Sequence, residues 1–192
     1  MAQFTSMIDQ AARGVLRQPA DAALQSLYEG LLSAGTRTQG SMVMEMIGFQ
    51  DTKNRVFPVV RLYQSIFNRK PDSAGLDFWV SEYRKYPTGQ DSLASMAASW
   101  FGTSEYKNTY PASLSNQQFV EKVYQNVFGR VPDSAGVAYW TQQLDSGSYS
   151  RVGVIIFFSE SAENQARTNG PIANLLNYAG WGDPRAYQGP LL

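Results

Sequence analysis

Two aspartates in identical five-residue segments are the first candidates for chemistry in this chain. Asp72 and Asp133 each stand in the sequence Pro-Asp-Ser-Ala-Gly. Such a loop could bind a sugar, or a calcium ion held by the carboxylate and neighbouring backbone carbonyls, but calcium takes about six to eight oxygen ligands in proteins. The same carboxylate could instead accept N–H bonds at the start of a helix. Because each loop offers only one aspartate, we predict the helix-capping role, with no metal site and no cofactor, and keep calcium as the alternative.

Any catalysis would have to depend on carboxylates, with tyrosine or lysine in support. The chain has no histidine and no cysteine, which excludes an imidazole base, a thiolate nucleophile and the usual zinc sites. Glu160 and Glu163 could act as acid and base, yet glycosidase chemistry needs two carboxyls facing each other across a cleft. No pattern in the sequence marks such a cleft, and we interpret the two glutamates as a solvated helix end. The sequence therefore predicts a protein that is not an enzyme and has no catalytic residues, with a carboxylate-based glycan-active enzyme as the alternative.

An internal repeat supplies the elements that position these residues. Residues 59–79 align without gaps with residues 120–140, and 11 of the 21 positions are identical. The offset of this alignment is 61 residues. Farther along, residues 100–104 match 157–161 at an offset of 57, which predicts that the first copy has four extra residues, at 86–89. A fainter copy appears near the N-terminus at an offset of 52, without the glycine and the tryptophan. Arrays of this kind bind or assemble more often than they catalyse.

Apolar residues at helical spacing start each copy. They recur at i, i+3, i+4 and i+7 from Val59 and from Val120, which predicts amphipathic helices ending near Asn68 and Gly129. A second helix should follow each aspartate and a third should follow that. We therefore predict an all-α fold of tandem repeats with about three helices per unit, packed as one compact or short solenoid-like domain. The predicted segments are a degenerate capping repeat (1–54), a first unit (55–110), a second unit (115–168) and a turn-rich C-terminal arm (169–192).

Between the first two helices of each unit, the repeated motif predicts a rigid corner, with a ligand loop as the alternative. Proline fixes φ, glycine allows close approach, and tryptophan packs below. The arginine of each corner should pair with the nearby aspartate or bind the last carbonyls of the preceding helix. The corner residues are Arg69, Pro71, Asp72, Gly75, Trp79, Arg130, Pro132, Asp133, Gly136 and Trp140.

Aromatic residues outside the periodic helices are the candidates for a contact surface. They lie in segments rich in serine, threonine, glycine and asparagine, a composition that suits adaptable recognition of carbohydrate or protein. These candidates are Tyr86, Tyr106, Tyr110, Tyr149, Trp181 and Tyr187.

Charge and hydropathy exclude two classes of partner. The formal net charge is zero and no run of lysine or arginine occurs, so we expect no nucleic-acid partner. No apolar stretch approaches the roughly 18 residues that a membrane span needs. The first residues lack the charged and apolar regions of a secretory signal peptide.

The second unit also resembles a known family. The residues that carry the resemblance run from Phe119-Val120 through Gly129-Arg130, Pro132-Asp133 and Tyr139-Trp140 to Gly147, Ser150-Arg151 and Phe158. They closely resemble the DUF4214 repeat of bacterial secreted and surface proteins, which is itself similar to the phycobilisome linker domain. Residues 59–107 match with departures: Asn68 replaces glycine, Phe78 replaces tyrosine, and Gly-x-x-Ser-Arg is absent.

The resemblance implies a helical module with no assigned activity. Such modules often accompany calcium-binding toxin-like (RTX-type) repeats, S-layer proteins or adhesins that are exported without an N-terminal signal, although the glycine- and aspartate-rich nonapeptides are absent here. We therefore expect a non-catalytic structural module at a bacterial surface or outside the cell, which binds envelope polysaccharide or a protein partner, or self-assembles. The alternative is a virion component of a phage tail or capsid.

Overall fold

The computed structural model describes residues 3–180, and every regular element in them is helical. This confirms the all-α prediction. A π-helical turn, Thr52–Val56, precedes α4, and a 3-10 segment, Ala98–Gly102, follows α6. The α-helices are α1 (Thr5–Val15), α2 (Ala22–Ser33), α3 (Gln39–Gly48), α4 (Phe57–Phe67), α5 (Ser73–Tyr83), α6 (Gln90–Ala97), α7 (Ser104–Thr109), α8 (Asn116–Phe128), α9 (Ser134–Asp145), α10 (Arg151–Ser159) and α11 (Ala162–Gly180).

Local sequence signals determine where these helices begin and end. Asn68 and Gly129 end α4 and α8 with φ of 53° and 63°, as predicted from their tolerance of the left-handed conformation. Ser115 caps α8 and forms a capping box with Gln118. The stretch that includes Val152–Phe158 is helical in spite of its β-branched residues.

The N-terminal segment has the same order of helix, corner and helix, one residue away from the predicted register. Arg17 ends α1 with φ of 58°, and Asp21 caps α2 by accepting a hydrogen bond from the Leu24 N–H. These positions correspond to Asn68 and Asp72 at an offset of 51. The predicted offset of 52 is therefore wrong at this corner, and the repeat relationship of the segment stays a prediction.

The first part of the predicted turn-rich arm is helical, because α11 continues through Asn169-Gly170-Pro171 with Pro171 inside the helix. Proline removes one helical hydrogen bond, but the residues that follow bury a large apolar surface. Ile172, Leu175 and Leu176 are all buried, and α11 packs against α1 and α3. The predicted arm thus begins as helix, and residues 181–192 lie outside the described part of the chain.

The units pack around one shared core. Helix α10 of the second unit packs against α4 and α6 of the first, while α11 returns to the N-terminal helices. This arrangement corresponds to the compact form of the fold prediction. Within residues 3–180, no helix is both long enough and apolar enough to cross a membrane.

A buried ion pair joins the two units. Arg61 Nε on α4 donates to Glu160 Oε1 at 2.9 Å, and Arg61 Nη1 donates to Asn169 Oδ1 at 2.9 Å. The side chains of Arg61 and Glu160 are only 3% and 12% exposed. The interpretation of Glu160 as part of a solvated helix end is therefore wrong.

Candidate functional site

Both repeated aspartates are N-caps in the structure. Asp72 Oδ1 accepts a hydrogen bond from the Gly75 N–H at 2.8 Å, and Asp133 Oδ1 accepts one from the Gly136 N–H at 2.7 Å. One carboxylate oxygen of each corner is thus used to satisfy the first turn of a helix. Within the described residues, no group of three or more acidic side chains is placed to hold a metal ion.

The corner arginines bind glutamates that lie far away in the sequence. Arg69 Nε lies 2.5 Å from Glu105 Oε1, and Arg130 Nε lies 2.8 Å from Glu163 Oε1; a second nitrogen of each arginine contacts the other glutamate oxygen at 3.2 Å. The prediction that each arginine pairs with the nearby aspartate is wrong. These hydrogen bonds are the main cause that lowers the pKa of Glu105 and Glu163 below the usual value.

Each corner arginine also lies over two rings of a cluster of four aromatic side chains. The Arg69 guanidinium lies 5.3 Å from the centre of the Tyr63 ring, and that of Arg130 lies 5.1 Å from the Tyr124 ring. The rings of each cluster meet mostly edge to face or tilted, at centroid distances of about 5 Å. We call these clusters the aromatic quartets: Tyr63, Phe67, Trp79 and Trp100 in the first unit, and Tyr124, Phe128, Trp140 and Phe158 in the second.

The quartets correct the alignment of the third helices. Trp100 and Phe158 occupy the same place, at an offset of 58. The residues that cap the following helices, Thr103 and Ser161, have the same offset. The predicted offset of 57 is therefore wrong by one, and the first unit carries three extra residues, since the earlier offset is 61. Neighbouring aromatic residues in both copies made the sequence alignment ambiguous.

Gly136 is required where the Tyr124 hydroxyl approaches the backbone. A Cβ atom at this glycine would lie 2.7 Å from Tyr124 Oη, whereas at Gly75 it would lie 3.0 Å from Tyr63 Oη.

We expect Gly136→Ala to lower the free energy of unfolding by about 1 kcal/mol, because the overlap outweighs the better helix propensity of alanine. Urea denaturation checks this value. Gly75→Ala is the matched control and should cost less, and Tyr124→Phe should relieve part of the Gly136→Ala loss; equal losses at the two glycines would contradict the steric explanation.

The six aromatic contact candidates have different positions. Tyr110 is buried, donates to the Ser65 carbonyl at 2.6 Å and accepts from Asn126 Nδ2 at 3.2 Å, so its assignment to a contact surface is wrong. Tyr106 is partly buried against Phe101 and Tyr110. Tyr86 and Tyr149 are exposed. Trp181 and Tyr187 lie outside the described residues.

Tyr149 belongs to an exposed group of rings that the sequence reasoning missed. Tyr139 is 53% exposed, and Tyr149 and Phe157 are also exposed. All three surround Trp140, with centroid distances to its ring of 5.2, 5.4 and 5.0 Å. We call Tyr139, Tyr149 and Phe157 the aromatic face. Tyr139 and Phe157 lie outside the apolar stripes of their helices, and their side chains lie on the outer side.

A large open groove lies between α8 and α9. Its volume is about 1290 Å³, and amide, hydroxyl and charged side chains surround an apolar strip. The apolar strip comprises Val131, Pro132, Val137 and Ala138; the polar residues include Gln117, Glu121, Lys122, Gln125, Arg130, Thr141, Gln142 and Asp145. A smaller cavity of about 350 Å³ lies beside the Gly89 loop and includes the Arg61–Glu160 pair. The structure thus offers two exposed features in the second unit, the aromatic face and the α8–α9 groove.

The two candidate acid–base residues do not form a facing pair with free carboxylates. Glu160 is bound by Arg61, and Glu163 is bound by Arg130. Each of the two carboxylates is therefore paired with a different arginine.

One comparison with known proteins bears on this region. Residues 97–168 match the model of a family described as a domain of unknown function, DUF4214. The resemblance is thereby confirmed for a segment that contains the second corner, the aromatic face and the α8–α9 groove. No curated protein and no protein of solved structure matches the chain.

Proposed function

We propose that this chain is a non-catalytic interaction module of a bacterial secreted or surface protein, of the S-layer or adhesin type, and that it binds envelope polysaccharide. The observation that carries the proposal is the aromatic face. Exposed aromatic side chains grouped around a buried tryptophan present an apolar surface, on which the C–H faces of a sugar ring can pack.

The surroundings of the aromatic face also suit a sugar. The Ser146 and Ser148 hydroxyls lie in the adjoining turn, 2.9 Å from each other, and both residues are exposed. The hydroxyls of Tyr139 and Tyr149 add two groups that donate and accept hydrogen bonds. A ligand rich in hydroxyl groups could therefore bind by ring packing and hydrogen bonding together.

The pairing of the carboxylates supports a binding role over hydrolysis. A glycosidase uses one carboxyl that protonates the leaving group and a second that acts on the opposite side of the bond. Here Glu160 is bound by Arg61 on α4, and Glu163 is bound by Arg130 in the corner between α8 and α9. The location outside the cell rests on the family resemblance, which implies secreted and surface proteins.

The test is the affinity of the chain for soluble envelope polysaccharides, measured by affinity electrophoresis and titration calorimetry. We expect binding by the natural sequence and a loss of about tenfold or more for the double variant Tyr139→Ala/Tyr149→Ala, because ring contacts dominate such sites. Phe78→Ala is the matched control: Phe78 is 55% exposed, occupies the position equivalent to Tyr139 in the first unit and contacts Trp79 in the same way. The control should bind normally. Absence of binding, or equal binding by the double variant, would contradict the proposal.

A further inference from the structure

We infer that the α8–α9 groove is the docking site for a second copy of this chain, a role beyond the proposed binding of polysaccharide. The first step is a comparison of the two units at the offset of 61. Four positions of the first unit that correspond to groove residues are buried, namely Val56, Val60, Leu76 and Val80. Their counterparts line the open groove: Gln117, Glu121, Val137 and Thr141.

Protein covers this face in the first unit. Arg17, at the corner between α1 and α2, is buried and donates from Nε to Asp77 Oδ1 and from Nη2 to Ser73 Oγ, both at 2.7 Å. The Leu16 carbonyl beside it accepts a hydrogen bond from Arg84 Nη2 at 2.5 Å, and Arg84 corresponds to the groove residue Asp145. In this fold, the face formed by the first two helices of a unit is therefore a surface that accepts another protein segment.

The charges around the groove favour a second copy as the occupant. Glu121 and Asp145 contribute two negative charges and Lys122 contributes a positive charge, while the charge of Arg130 is paired with Glu163. A two-fold interface brings the same surface of both copies together, so a patch of one sign would repel itself, while a patch with both signs can pair with its copy.

Val131 supplies the apolar contact that such an interface needs. It is 87% exposed, the most exposed large apolar side chain in the described part of the chain, and it lies at the groove beside Pro132 and Val137. In a two-fold dimer, the Val131 of each copy enters the groove of the other. The first unit has Lys70 at the equivalent position, where the chain itself covers the face.

The groove is lined by both apolar and polar side chains. Since the amides and charges make this face more polar than its buried counterpart, we expect a dimer that dissociates readily, with a dissociation constant in the micromolar range, on the order of 1–100 μM.

Light scattering and analytical ultracentrifugation over a range of protein concentrations test the inference. The natural sequence should shift from a 21.3 kDa monomer toward twice that mass. Val131→Lys should weaken association at least about 30-fold, since it places a charge at the centre of the contact. The control is Met44→Lys on α3, a residue that is 54% exposed and lies outside the groove; it should associate normally. A strictly monomeric natural sequence, or unchanged association of Val131→Lys, would overturn the inference.

A fluorescence measurement distinguishes a second copy from a sugar in the groove. Because the chain has no cysteine, Gln142→Cys gives one labelling site, at the groove, for a polarity-sensitive dye. We expect a blue shift that follows the increase in mass. A blue shift caused by polysaccharide while the protein stays monomeric would assign the groove to the sugar and overturn the inference. The polysaccharide affinity of Tyr139→Ala/Tyr149→Ala is a separate test, so failure of either proposal can be recognised by itself.

Discussion

Replacing Arg61 with methionine is expected to lower the free energy of unfolding by about 3–5 kcal/mol, as measured by urea denaturation followed by circular dichroism. The Arg61 side chain is 3% exposed, and its guanidinium binds both carboxylate oxygens of Glu160. Methionine keeps much of the buried volume, so the loss reports on charge more than on packing. The variant leaves the Glu160 carboxylate in a largely buried position, where the Ser159 hydroxyl donates to Oε1 at 3.2 Å but brings no charge, and burial of an uncompensated charge is expensive.

Two control variants separate this effect from a general loss of arginine. Arg69→Met removes the ion pair between Arg69 and Glu105. Both side chains of this pair are more than 40% exposed, so the free energy of unfolding should fall by about 1 kcal/mol or less. The double variant Arg61→Met/Glu160→Met removes both buried charges together. It should be clearly more stable than Arg61→Met alone, because replacing a buried ion pair by apolar groups is often close to neutral. If the double variant is as unstable as the sum of the single variants, the explanation by an unpaired charge is wrong.

Elements specified by neighbouring residues could be predicted from the sequence. The φ of Asn68 and Gly129 and the caps by Asp72 and Asp133 depend on one turn of chain, and residue type alone indicates them. The all-α fold likewise follows from apolar spacing within single helices. Such signals are local, so no knowledge of the packing is needed.

Contacts between distant segments could not be predicted in the same way. Arg69 lies three residues before Asp72 but binds Glu105, which is brought close only when α7 packs against α4. Tyr110 lies in a polar loop, yet it is buried because its hydroxyl bonds to α4 and α8. Pro171 predicts a helix end, but the packing of α11 against α1 outweighs that local preference.

The candidate binding features show the same limit. Tyr139 and Phe157 lie outside the apolar stripes of α9 and α10, but only the packing shows that their rings and that of Tyr149 gather around Trp140. The α8–α9 groove has no sequence motif. It becomes apparent because the equivalent face of the first unit is covered by the corner at Leu16 and Arg17, whereas the second unit has no such cover among the described residues.

Replacing Trp100 with alanine is expected to lower the free energy of unfolding by about 3–5 kcal/mol. Trp100 is among the largest fully buried side chains in the described structure and contacts the other three rings of its quartet at centroid distances of 4.7, 5.3 and 4.9 Å. Alanine removes these ring contacts and leaves a cavity that the surrounding helices can fill only in part. Urea denaturation should be followed by circular dichroism, since the substitution itself changes tryptophan fluorescence.

The second unit provides the matched substitution, because Phe158 occupies the position of Trp100 in its own quartet. Trp100→Phe should therefore cost much less than Trp100→Ala, about 1–2 kcal/mol, since the ring remains and only part of its volume is lost. No hydrogen bond is lost either, as the indole Nε1 of Trp100 is buried and has no partner in the structure. If Trp100→Phe costs as much as Trp100→Ala, a phenyl ring does not replace the packing of the indole at this position, and the equivalence of the two quartets would no longer explain why the units tolerate different residues there.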